Sequence, residues 1–150
     1  MLAPEMLTCL ALNVYFEARS ESIAGQLAVA HVVMNRVESP KYPNNVCNVV
    51  KQGPISKWWK EEHGKEVPIR NRCQFSWWCD GKSDVPTDMQ AWDTAMRVAT
   101  LVASGDLYDI TDGATHYHAV YVQPSWSKDH YNIITIGEHV FYKEKPDERN

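Results

Sequence analysis

Asn13-Val14-Tyr15-Phe16-Glu17-Ala18-Arg19-Ser20-Glu21 is the point where an apolar helix meets a polar break. Upstream, Leu7, Leu10, Ala11, Val14 and Tyr15 recur at helical spacing, which predicts a helix over 5–18. Pro4 suits its first turn, where no amide hydrogen is needed. Downstream, Ser20 and Ser22 are candidate caps. A second helix is expected over 22–37. Ile23, Leu27, Ala30, Met34 and Val37 form one apolar stripe, and Val29 and Val33 add a second. A helix apolar on nearly all sides belongs at the centre of a fold.

Further along, residues 38–86 are broken by Pro40, Pro43, Gly53, Pro54, Gly64, Pro68, Gly81 and Pro86, so short helices and loops are expected. Trp58-Trp59 and Phe75-Ser76-Trp77-Trp78 make this stretch a candidate binding lobe. A third long helix is expected over 88–104. Its capping box would be Thr87 with Gln90, its stripe Trp92, Ala95, Met96, Ala99, Val102 and Ala103, and its stop Gly105. The period then changes. Residues 115–122, 133–136 and 139–142 read as strands, the last two joined by a hairpin at Gly137-Glu138. The class is α+β, a mainly helical core with a small antiparallel sheet near the C-terminus.

At 150 residues the chain fits one domain over 1–150, with a core from about residue 5 to 142. Hydrophobic residues at 44% and charged residues at 23% are those of a folded protein, with a loose tail expected only over 143–150. The net charge of −4 and the lack of a basic run argue against nucleic acid. Adsorption to an anionic surface by charge alone would also need a more basic chain. Recognition should therefore be short-ranged, inside a groove. No apolar run is long enough to enter a membrane. Residues 1–19 do not read as a secretion leader, because Pro4, Glu5 and Asn13 interrupt the pattern; cytoplasmic residence is the expectation.

Cys9, Cys47, Cys73 and Cys79 allow two disulfides in three pairings. Cys9, in an apolar helical stretch, reads as a buried thiol. The lack of CxxC spacing argues against structural zinc.

Glu17 is the most informative carboxylate. Aromatic neighbours would remove water from it and raise its pKa, as a general acid requires; the plainer reading is a helix-end Glu paired with Arg19. Glu21 is expected to bind Arg19 or Arg36 and fix the loop. His116 and His118 alternate on a strand and share one face. With His130 or His139 they could bind zinc, but a polar groove wall is the preferred reading. Asp80, Asp84 and Asp88 are near enough in sequence to share a structural cation. Six Trp and seven Tyr would suit sugar rings as well as a core.

The opening stretch continues with Gly25-Gln26-Leu27-Ala28-Val29-Ala30 and Val33-Met34-Asn35-Arg36-Val37. In order follow Pro43-Asn44-Asn45-Val46-Cys47, Cys73-Gln74-Phe75-Ser76-Trp77, Gly113-Ala114-Thr115-His116-Tyr117-His118-Ala119, Pro124-Ser125-Trp126 and Ile136-Gly137-Glu138-His139-Val140-Phe141-Tyr142. Together these blocks resemble the cell-wall hydrolase family of the spore-cortex-lytic enzyme type over about residues 7–142. Phe16 and Ser20 depart from that family's usual motif without removing a functional group.

The resemblance implies a lysozyme-related fold and peptidoglycan as partner. It implies muramidase or lytic transglycosylase chemistry with Glu17 as the catalytic acid and no cofactor or metal. Tyr15, Gln74, Phe75, Ser76, Trp77, Tyr117, His118 and Trp126 would then contact substrate, with Arg19 and Glu21 supporting Glu17. A bare domain of this kind looks like a phage lysis enzyme, monomeric and held in the host cytoplasm until lysis. The rival readings are a metal-dependent amidase or peptidase on His116 and His118, and a non-catalytic wall-binding module using its tryptophans.

Overall fold

The computed structural model describes residues 2–146. Five helices precede a three-stranded sheet: α1 (Pro4–Ala18), α2 (Ile23–Glu38), α3 (Val46–Val50), α4 (Lys57–His63), α5 (Met89–Ala103), β1 (His116–Ala119), β2 (His130–Ile136) and β3 (His139–Glu144). Two 3₁₀ turns, Ser76–Cys79 and Ser125–Asp129, complete the order. Lys143 and Glu144, placed in a loose tail by the sequence reading, are paired in β3; residues 147–150 lie outside the described residues.

The apolar girdle of α2 has a direct cause. Ala30 and Val33 pack with Leu10, Val14, Val98 and Val102 of α1 and α5. On the other side Val29 and Val32 pack with Phe141 of β3 and Ala114. The helix therefore lies between the helical core and the sheet. Ser22 starts it by accepting a hydrogen bond from the Gly25 amide.

The start of α5 corrects the expected capping box. Asp88, not Thr87, accepts from the Ala91 amide. The Thr87 and Asp88 amides both donate to the Tyr15 hydroxyl, which holds the chain outside the helix until Asp88. Gly105 follows the helix at φ 79°, as a glycine stop should.

In the sheet the order is β1-β3-β2, antiparallel throughout. Ile136 pairs with His139 across the Gly137-Glu138 turn, and Gly137 has φ 55°, a value glycine adopts without strain. Along β1, Tyr117 faces inward to Phe141 and Phe75. His116 and His118 point to the other face, where Trp126 packs against both.

Both disulfides form, Cys9–Cys47 and Cys73–Cys79. Cys9 is buried as expected but is not a free thiol. It ties α1 to α3, closing a separation of 38 residues. Replacing Cys9 and Cys47 by Ser should cost about 2–4 kcal/mol, mainly by freeing the unfolded chain. Urea titration of the oxidised protein against the double variant measures that difference; equal midpoints would mean the bridge adds nothing.

Candidate active site

Glu17 lies on the last turn of α1, within hydrogen-bond reach of β1. The Tyr117 hydroxyl donates a hydrogen bond to its Oε1. Burial raises the Glu17 pKa above the usual carboxylate value, while the Tyr117 bond and the charge of Arg36 pull it back down. Burial also raises Tyr117 well above an ordinary tyrosine, as does the adjacent carboxyl, so its hydroxyl remains a donor. With Oε1 occupied by Tyr117, the acid proton belongs on Oε2. Burial thus favours the protonated carboxyl over what an exposed glutamate would show, and a proton on Oε2 is the arrangement that can be given to an oxygen leaving group.

Glu17 opens into a cleft of about 260 Å³. Phe16 of α1 and Arg19 just beyond it form one side, and Ser76, Trp77, Asp80, Lys82 and Ser83 line it from the 3₁₀ turn and the following loop. Trp77 forms the junction. Its ring stacks on Phe16 at 5.0 Å, and its Nε1–H donates to Asn13 Oδ1 at 2.8 Å. The side chain is only 5% exposed, so most of it is committed to the fold.

Several residues expected to contact substrate do not line this cleft. Tyr15 is fully buried and its hydroxyl accepts from Arg19 and from the Thr87 and Asp88 amides. It joins α1 to α5 and has no exposed surface. Phe75 is buried too, with the Arg36 guanidinium 5.1 Å from its ring centre. Gln74 is exposed but lies outside the cleft lining, and its amide donates to the Gln52 carbonyl. His118 and Trp126 lie across the sheet from Tyr117. There the His118 Nδ1–H donates to the Ala119 carbonyl and Nε2 accepts from the Tyr142 hydroxyl. Of the expected set, Glu17, Ser76, Trp77, Tyr117 and Arg19 converge.

Glu21 binds neither Arg19 nor Arg36. Its Oε1 accepts from the Glu138 amide at 2.8 Å, and Arg36 Nε donates to the Thr115 carbonyl. His116 shares the outer face with His130, ring centres 4.4 Å apart. Burial, then Arg36 and His130, lowers His116 to about 4, leaving it neutral at neutral pH. The three aspartates do not converge: Asp88 caps α5 and Asp80 accepts from the Lys82 amide. Among the described residues no group of three or more His, Cys, Asp or Glu is arranged to hold a metal ion. No described helix is long and apolar enough to cross a membrane.

Sequence reasoning passed over Asn13 and the influence of Arg36 on Glu17. Asn13 had a visible signal, a polar residue on the buried side of an otherwise apolar helix. Arg36 had one only in retrospect, as a cation at the end of a helix that is apolar on every side.

A helical core with a buried acid at the end of α1, closed by a small antiparallel sheet, makes this an α+β domain. Two solved structures share this fold. One is the catalytic domain of the germination-specific lytic transglycosylase SleB from Bacillus anthracis, with TM-score 0.64, 24% identity and coverage of 95% of this chain and 97% of that one. The other is the catalytic domain of the Bacillus cereus SleB protein, with TM-score 0.65, 24% identity and coverage of 95% and 93%. The chain belongs to the cell wall hydrolase family, whose model matches residues 20–142; Glu17 lies just ahead of that match. Among curated relatives, the spore cortex-lytic enzyme of Halalkalibacterium halodurans is 32% identical over 131 residues, 85% of this chain and 32% of the relative. The Bacillus subtilis spore cortex-lytic enzyme is 51% identical over 41 residues, 27% of this chain and 13% of the relative. The chain therefore spans about a third or less of the curated relatives it matches.

Removing the Tyr117 hydroxyl tests the electrostatics directly. A bond to the carboxylate lowers its pKa, so Tyr117→Phe should raise that of Glu17. The proton-donating form then persists to higher pH, and the alkaline limb of a kcat–pH profile should move upward. An unchanged limb would show that Tyr117 does not set the acid.

Proposed function

We propose that this protein is a peptidoglycan-degrading glycosidase that cleaves glycan strands between N-acetylmuramic acid and N-acetylglucosamine, with Glu17 as general acid. The carrying observation is Glu17 itself, a buried carboxyl at the edge of an open cleft, held by Tyr117 through one oxygen. Family membership and the names of the relatives support peptidoglycan as the substrate class.

The favoured route is that of a lytic transglycosylase. Glu17 Oε2 protonates the glycosidic oxygen as the bond to the muramoyl anomeric carbon breaks, passing through an oxocarbenium-like state. The muramoyl 6-hydroxyl adds to that carbon and returns its proton to Glu17. One C–O bond breaks, one forms, no water is consumed and the acid is regenerated. Tyr117 and Arg36 stabilise the transient carboxylate.

Asp80 lines the same cleft and favours a second route, in which water held on Asp80 replaces the 6-hydroxyl. Mass spectrometry of digested peptidoglycan separates the two: the 1,6-anhydro product is one water lighter than the hydrolytic product. Release of free peptides, or of nothing, would overturn the glycosidase assignment. A role in phage lysis is a further proposal. Its test is cytoplasmic expression in a bacterium: cells should lyse when the membrane is permeabilised and remain intact otherwise.

A further inference from the structure

We infer that Glu21 and His139 are positioning residues, forming a latch that pins the β2–β3 turn to the α1–α2 loop and braces Tyr117 against Glu17. The inference rests on the glycosidase reading.

The latch joins residues far apart in sequence. Glu21 Oε1 accepts from the Glu138 amide, 117 residues away. The same oxygen lies 3.7 Å from His139 Nδ1. The two side chains are 9% and 13% exposed, so the carboxylate is committed inside the protein. His139 Nδ1 is buried with no hydrogen-bond partner among the described residues, and Glu21 and Glu138 are the acidic groups that act on it. The His139 ring meets Tyr117 edge-on at 4.9 Å, and Tyr117 donates to Glu17. A continuous set of contacts therefore runs from Glu21 to the acid.

Two glycines leave room for this arrangement. A Cβ on Gly137 would sit 2.7 Å from Glu21 Oε1, and one on Gly25 would sit 3.1 Å from the Glu21 Cβ. Behind Glu21, the Gln26 side-chain amide donates to its carbonyl. The loop is held by α2 and the carboxylate by the turn, so Glu21 has little freedom to turn toward the cleft.

The latch acts on Glu17 through Tyr117, so it should be read in the Glu17 titration. Around Glu17 stand Tyr117 from β1, Arg36 from α2, Arg19 beyond α1, and Asp80 and Lys82 across the cleft. Around the latch stand Glu138 and His118. Glu21→Ala frees the turn and His139 and loosens Tyr117, leaving these other charges in place. Loss of the Tyr117 bond raises the Glu17 pKa.

The experiment is a ¹³C NMR titration of the Glu17 carboxyl in the wild type, Glu21→Ala, Tyr117→Phe and the double variant, with kcat–pH profiles alongside. Both single variants should shift Glu17 upward. The double variant should shift it no further than Tyr117→Phe alone, because both changes act through one contact. Gly137→Ala, which forces Glu21 away from the turn, should also shift it upward and substitutes if Glu21→Ala does not fold. Glu21→Gln keeps an oxygen for the Glu138 amide and should titrate close to wild type. A Glu17 titration that moves with Tyr117→Phe but not with Glu21→Ala or Gly137→Ala overturns the latch. So does a double variant whose shift is the sum of the singles. The titration needs no turnover: a wild type that releases no glycan product defeats the glycosidase reading and leaves the latch to be judged by NMR.

Discussion

Glu17→Gln should lower glycan cleavage at least about 100-fold, the low end of what general acid catalysis contributes, and should not unfold the protein. The amide matches the carboxyl in size and still offers Tyr117 an acceptor oxygen, but it has no titratable proton to give. Its effect on stability has a definite sign. Burial makes folded Glu17 hold its proton more tightly than the unfolded chain does. The unfolded chain therefore releases that proton first as pH rises. Native stability falls from the ordinary carboxyl pKa up through the raised folded one. Glutamine has no such dependence, so the variant should match wild type in acid and melt at the same or higher temperature at neutral pH. Melts at several pH values and muropeptide release at each provide the two readouts. Near-normal turnover in the folded variant would remove Glu17 from the mechanism. A variant less stable than wild type at neutral pH would contradict its burial as an acid that resists ionisation.

What could be read from the chain follows the range of the forces involved. The long helices were legible because Leu10, Val14, Val29 and Val33 repeat at helical spacing, and their burial follows from it. The β2–β3 hairpin was legible because Gly137 lies between two β-forming runs. The partners of polar side chains were not legible, since they are set by folding. Glu21 was assigned to the nearest arginines in sequence, yet its partner amide is 117 residues away. Thr87 and Asp88 both cap helices well, and the Tyr15 hydroxyl, over 70 residues upstream, decides between them. Strand alternation correctly placed His116 and His118 together, but it does not say which face meets the acid. That face belongs to Tyr117, so His118 and Trp126 fall outside the cleft. Aromatic residues were ambiguous for a different reason. The same ring can stack on a sugar or fill a core, and Tyr15 and Phe75 do the latter.

Trp77 turns that ambiguity into a measurement. If its main role were to stack on a sugar, Trp77→Ala would weaken substrate binding and leave the melting temperature alone. Its packing argues the opposite. The ring lies on Phe16 at an interplanar angle of 17°, and its Nε1–H donates to Asn13, which is 0% exposed. Asn13 Nδ2 already has no hydrogen-bond partner among the described residues. Truncation to alanine therefore opens a cavity between α1 and the Ser76–Cys79 turn and also strips Asn13 Oδ1 of its donor. The expected cost is about 3–5 kcal/mol, the range for removing a large buried aromatic side chain. Trp77→Phe keeps most of the packing but not the donor, and should cost about 1–3 kcal/mol for the orphaned oxygen. Adding Asn13→Leu to Trp77→Phe should recover part of that loss, because replacing both polar partners by apolar groups avoids the orphan. Urea midpoints with an unchanged slope would assign these differences to native packing. Catalysis should fall as well, because the same turn presents Ser76 and leads into Asp80. A Trp77→Ala protein with wild-type stability and a raised KM would instead place the indole on the substrate.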